Sequence, residues 1–182
     1  MNRVINLLVI VVLLQACSDV KVSQDYVQGY DFSTLKTFAW KPNENNAYGV
    51  KDNELVDARV KNAIENQLKA KSYQQVDSLN ADFLVSYNVT IEQKITSSGT
   101  TGTISIGRSS YGRYGGIGMS TGSQVRAYDQ GTLLIDFTEP VEDKLIWRGV
   151  STRSVDEHSS PDKSTVIINE TVEKMLKQFP PQ

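Results

Sequence analysis

From Ala81 to Ile95 the sequence alternates strictly, with Phe83, Val85, Tyr87, Val89 and Ile91 on one side and Ser86, Asn88, Thr90 and Glu92 on the other. A period of two sustained this long fits a β-strand with one buried face and one wet face. The chain must therefore build a sheet and cover one side of it. Residues 131–138 repeat the pattern through Leu133, Ile135 and Phe137, and Leu145, Trp147 and Gly149 repeat it after Glu139-Pro140-Val141-Glu142-Asp143. That pair reads as an antiparallel hairpin. An earlier strand ends at Phe38 and Trp40, two residues apart, and Pro42 with the Asn-rich stretch to Asn46 closes it.

Two segments have the period needed to cover the sheet. Asp52 or Asn53 can cap a helix whose Val56, Val60, Ala63, Ile64 and Leu68 share a face, while Lys61, Glu65 and Lys69 fall on the solvated side. Ser160-Pro161-Asp162 supplies an N-cap, a proline in the first turn and an acid near the positive helix end. Ile168, Val172, Met175, Leu176 and Phe179 follow as an apolar stripe that Pro180 and Pro181 stop. Neither helix is apolar all round, so each should lie on the sheet with its polar side in water. The expected fold is α+β, in the order β-α-β-β-β-α: one mixed sheet backed by two helices on one face, with a long Gly-rich hairpin loop. If the first two strands are parallel neighbours, their crossover should be right-handed.

The start of the chain predicts an address. Met1-Asn2-Arg3 is a short positive region, and Leu7 to Leu14 is an unbroken apolar run, too short for the ~20 residues that span a bilayer. Leu14-Gln15-Ala16-Cys17 resembles the lipobox of bacterial lipoproteins, in which the cysteine is lipidated and becomes the new N-terminus. Cys17 is the single cysteine in the sequence. The resemblance implies a diacylglyceryl thioether and an amide-linked acyl chain such as palmitate on Cys17, and several chains together anchor stably where one does not. It also implies sorting to the periplasmic face of the outer membrane, because Ser18, not an aspartate, follows the cysteine. Residues 1–16 then form a signal peptide, 17–29 a lipidated tether and 30–182 a single domain.

Residues 97–123 hold eight of the 12 glycines, and Lys94, Arg108, Arg113 and Arg126 are the only charges between Glu92 and Asp129. As a functional element this is a cationic loop in which Arg108, Tyr111, Arg113 and Tyr114 contact anionic lipid or another envelope protein. The plainer account is a long hairpin tip, rich in glycine because the backbone must turn. No phosphate-cradling glycine motif is present.

Motif and composition give little support to other functions. A formal charge of −2, from 19 basic and 21 acidic residues, supplies no global field for nucleic acid. One Cys and one His cannot make a Cys/His zinc site, so no metal or cofactor is expected. His158 lies among Ser154, Asp156, Glu157, Ser159 and Ser160, but these are sequence neighbours and no GxSxG elbow accompanies them. Glu139, Glu142 and Asp143 read as solvated turn acids, and Trp40 and Trp147 as core residues.

Tyr30-Asp31-Phe32 leading to Thr37-Phe38-Ala39-Trp40, Ala81-Asp82-Phe83-Leu84-Val85-Ser86-Tyr87, the Tyr/Gly-rich loop, Gly131-Thr132-Leu133-Leu134-Ile135-Asp136 and Leu145-Ile146-Trp147-Arg148-Gly149 recur in order behind the lipobox. This series resembles a bacterial lipoprotein family known as domain of unknown function four-one-three-six, over nearly the whole chain after Cys17. The resemblance implies an envelope lipoprotein with a compact α/β domain and brings no catalytic residue. The expected function is a non-catalytic, structural or partner-binding envelope module; the alternative is a ligand carrier or glycan-acting hydrolase whose site forms only in three dimensions.

Overall fold

The computed structural model describes residues 20–42, 49–50, 53–98, 124–156 and 158–181. In chain order these form β1 (Lys21–Tyr26), β2 (Thr37–Trp40), α1 (Glu54–Ala70), β3 (Gln74–Gln75), β4 (Phe83–Ser98), β5 (Gln124–Thr138), β6 (Leu145–Val155) and α2 (Pro161–Leu176), with single 3-10 turns at Phe32–Thr34 and Ser78–Asn80. The strands make one six-stranded sheet in the order β1-β6-β5-β4-β2-β3. β4, β5 and β6 pair antiparallel, whereas β2 is parallel to both β4 and β3. This is the mixed α+β sheet that the alternation and the helical stripes predict.

The long alternating run buries the side it should. Phe83, Val85 and Tyr87 of β4, Ile135 and Phe137 of β5, and Trp147 of β6 meet Val60, Ile64 and Leu68 of α1 and Val172, Met175 and Leu176 of α2 in a single core. Asn53 caps α1 by accepting from the Val56 N–H, and Ser160 caps α2 by accepting from the Lys163 N–H, with Pro161 in the first turn. Both caps satisfy backbone donors that a helix start leaves unpaired.

Three expectations are corrected. Residues 21–26, read as part of a tether, form the edge strand β1, antiparallel to β6 from Lys21↔Thr152 to Tyr26↔Trp147. Its sequence carries one aliphatic residue, Val22, so its pairing comes from the neighbouring strand rather than from its own pattern. Helix α2 ends at Leu176 and does not run on to the prolines. Phe179 instead turns into the middle of the core, with ring centroids 4.6 Å from Phe137 and 5.3 Å from Trp147. The polar side of α1 is not wholly solvated either: Glu65 accepts from the Trp40 indole N–H at 2.8 Å, and the Lys61 ammonium lies 5.2 Å from the Trp40 ring centroid.

The other face of the sheet carries no helix among the described residues, and near its far end an ion pair links Lys41 to Asp143 of the β5–β6 turn. The Lys41 Nζ and an Asp143 carboxylate oxygen are 2.5 Å apart. Lys41 follows β2 and Asp143 follows β5, two strand spacings or about 10 Å apart with β4 between them. The pair spans β4, and Ala39, Leu84 and Thr138 are also buried on this otherwise open side.

Candidate functional site

Past the start of β1, β4 and β5 continue as a paired arm as far as Ser98↔Gln124. Ladder positions at its base run Lys21↔Thr152, Thr132↔Thr152 and Thr90↔Thr132, so the start of β1 is level with Thr90 of β4. Two residues further along β5, Gln130 pairs with Ser154, and two beyond that Tyr128 pairs with Lys94. Alternation puts Lys21, Tyr128, Gln130, Thr152 and Ser154 on the open side of the sheet.

These residues, with Arg153, line a shallow cleft of about 120 Å³. Small-molecule pockets commonly occupy ~300–1,000 Å³, so the cleft suits a small polar group at the surface rather than an enclosed ligand. Its chemistry is an ammonium, three hydroxyls and a carboxamide, a set rich in donors for an oxyanion or a sugar hydroxyl. Arg153 ties the cleft to the core: its Nη1 donates to the Ile167 carbonyl at 3.2 Å and to Thr171 Oγ1 at 3.0 Å, which holds β6 against α2. Beside the cleft, Lys94 donates to Glu92 at 2.6 Å, and that hydrogen bond raises the lysine pKa and lowers the carboxylate's.

The long glycine-rich segment joins β4 to β5 at the end of the arm, where the hairpin reading puts it, although the ladder takes in residues 97 and 98. Arg108, Tyr111, Arg113 and Tyr114, and Cys17 as well, lie outside the described residues. The Ser/His/Asp cluster is not drawn into a triad. His158 is 96% exposed with Nδ1 4.0 Å from Asp156, Ser160 is occupied as a helix cap, and Ser154 lies in the cleft on β6. Of the turn acids, Asp143 is engaged by Lys41.

Sequence reasoning missed the cleft because its residues come from three strands whose register no single segment encodes. One signal was present. The alternation through Leu133 and Ile135 extends backwards, placing Tyr128, Gln130 and Thr132 on the wet side of β5.

The fold and the cleft define a small α+β domain, one mixed sheet with helices on a single face and a shallow polar cleft on the other. The chain belongs to the family described as domain of unknown function (DUF4136), which matches residues 22–181. Against curated protein sequences it finds no match. Among solved structures it is similar to a PDZ domain protein from Parabacteroides distasonis ATCC 8503, at 16% identity and a TM-score of 0.53 over 90% of this chain. The chain spans 36% of that protein's length, and the likeness is one of fold. It is also similar to the PelC dodecamer from Paraburkholderia phytofirmans, at 12% identity and a TM-score of 0.48 over 86% of this chain and 95% of that one. A third likeness is to a putative neuraminyllactose-binding hemagglutinin homolog from Helicobacter pylori, at 12% identity and a TM-score of 0.35 over 81% and 87% of the two chains.

Proposed function

We propose that the chain is a non-catalytic lipoprotein of the cell envelope, held at the periplasmic face of the outer membrane by lipidated Cys17 and acting there as a structural or partner-binding module. The observation that carries this reading is the register of its N-terminus: a positive start, an apolar run from Leu7 to Leu14, a small residue and then the single cysteine. The folded domain begins close behind it, at Lys21. Its contacts would be made by the open sheet face and by Arg108, Tyr111, Arg113 and Tyr114 in the segment joining β4 to β5, toward another envelope protein or anionic lipid.

The test is fractionation of cells carrying Cys17→Ala. The native chain should sediment with outer membranes and incorporate labelled palmitate, while the variant should do neither and should appear in the soluble periplasmic fraction if the signal peptide is still cut. A Cys17→Ala chain that stays wholly with outer membranes removes the anchor from the account.

A further inference from the structure

Where the chain enters the fold limits how the domain can sit on a membrane. Cys17 is four residues from Lys21, and even fully extended chain covers only about 14 Å over that distance. Lys21 is level with Thr90, and the β4 backbone continues eight residues further to Ser98, about 26 Å at a strand's rise. The arm therefore reaches past the chain's entry point by nearly twice the length of the leash. It cannot point toward the membrane and also stand clear of it. Turning the domain over fails as well, because the other end of β1, at Tyr26, is about 17 Å from Lys21, beyond what the leash can round.

The side chains at the base of the arm suit the interface they are brought to. Tyr128 is 40% exposed and paired across the ladder with Lys94. A tyrosine presents an apolar ring with a polar tip, and a lysine lays an apolar stem under a charged head, the two shapes favoured at headgroup level. Lys21, Thr152, Gln130 and Ser154 line the adjoining cleft, whose donors match phosphate oxygens, and Glu92 is the carboxylate that Lys94 holds beside them.

We infer that the β4–β5 arm rests in the headgroup layer of an anionic phospholipid membrane, with Tyr128, Lys94 and Lys21 as its lipid-contacting side chains. This inference rests on the anchoring of Cys17 proposed above. The opposite end of the molecule, with Leu79 and Val141 exposed on turns, then faces away from the bilayer.

The test uses the full lipidated chain in vesicles of phosphatidylethanolamine and phosphatidylglycerol that contain a headgroup nitroxide quencher. Tyr128→Cys and Leu79→Cys carry the same fluorescent label, and Cys17 is blocked by its lipid. Tyr128 is level with Lys94 and thus about 36 Å along the sheet from the start of β4, so the two sites report on different ends. Strong quenching at Tyr128→Cys with little at Leu79→Cys is the expected result. In a Lys21→Glu/Lys94→Glu chain that keeps its lipid, quenching at Tyr128→Cys should fall. A lipidated chain quenched equally at both sites, or more at Leu79→Cys, overturns the inference and leaves the anchor standing. If mass measurement finds no acyl chains on Cys17, the anchor and the orientation fall together.

Discussion

Along β5, Leu133, Ile135 and Phe137 are buried, while the alternate residues Thr132, Leu134 and Asp136 keep part of their surface in water. One strand thus shows two environments, and the neighbouring strands repeat them. On the helix side, stability comes from shape: Phe83, Phe137, Trp147 and Phe179 form a ring cluster closed by α1 and α2. The open side adds polar contacts, exemplified by Arg148, which donates from Nε and Nη2 to the two oxygens of its cross-strand partner Asp136 at 2.6 Å each. That bond raises the Arg148 pKa above its usual value. Burial of aromatic surface is non-directional and large, whereas a surface ion pair is directional and small. One face holds the fold together, and the other is left available for contacts.

The strongest way to break this division is through the rings. Phe179→Ala should destabilise the domain by about 3–5 kcal/mol, because it opens a cavity touched by Phe32, Tyr73, Phe83, Phe137 and Trp147. Denaturant unfolding would read this directly, and a loss under about 1 kcal/mol would mean that the neighbours collapse into the space.

A smaller effect is expected where β2 and β4 begin, at Asp82. Its carboxylate accepts from the Lys36 and Thr37 N–H groups at 2.8 Å each and from the Thr37 hydroxyl at 2.9 Å. Burial opposes the charged form there, but the backbone and hydroxyl hydrogen bonds together with the Lys36 charge outweigh it and hold the pKa below the usual value. A depressed folded-state pKa adds stability that is present above the unfolded-state value of about 3.9 and disappears as pH falls through the folded value. Asp82→Ala should therefore cost about 1 kcal/mol at neutral pH after allowance for solvent screening. In acid, the native and variant unfolding curves should draw together; a gap that stays constant with pH would assign the effect to packing.

The smallest effect belongs to the open face. Arg148→Ala should cost less than about 1 kcal/mol, since the pair is partly solvated and its deletion leaves no cavity. A loss comparable to that from Phe179→Ala would show that this face carries as much of the stability as the helix-covered one.

Helices, caps and the long strands were legible because their signals are local. Asn53 and Ser160 cap through hydrogen bonds within three residues, and the apolar stripes of α1 and α2 are a property of spacing alone. Less visible was anything that depends on a partner far along the chain. Trp40 reads as a packing residue from its spacing, but nothing local announces that Glu65 and Lys61 of α1 meet its indole, and Asp143, a turn acid that stays 61% exposed, carries no local sign of its partner Lys41.

One sheet with helices on a single face follows from local pattern alone, because periods of two and of 3.6 leave only one side of each element apolar. The lipobox-like start, too, was written in consecutive residues. Long-range packing is what brings Lys21–Tyr26 into the sheet, Phe179 into the core, and Lys21, Tyr128, Gln130, Thr152 and Ser154 into one cleft. Each of those outcomes turns on strand register and on the burial offered by distant segments, and a polar edge strand such as β1 gains its conformation from the backbone hydrogen bonds of β6 rather than from a pattern of its own.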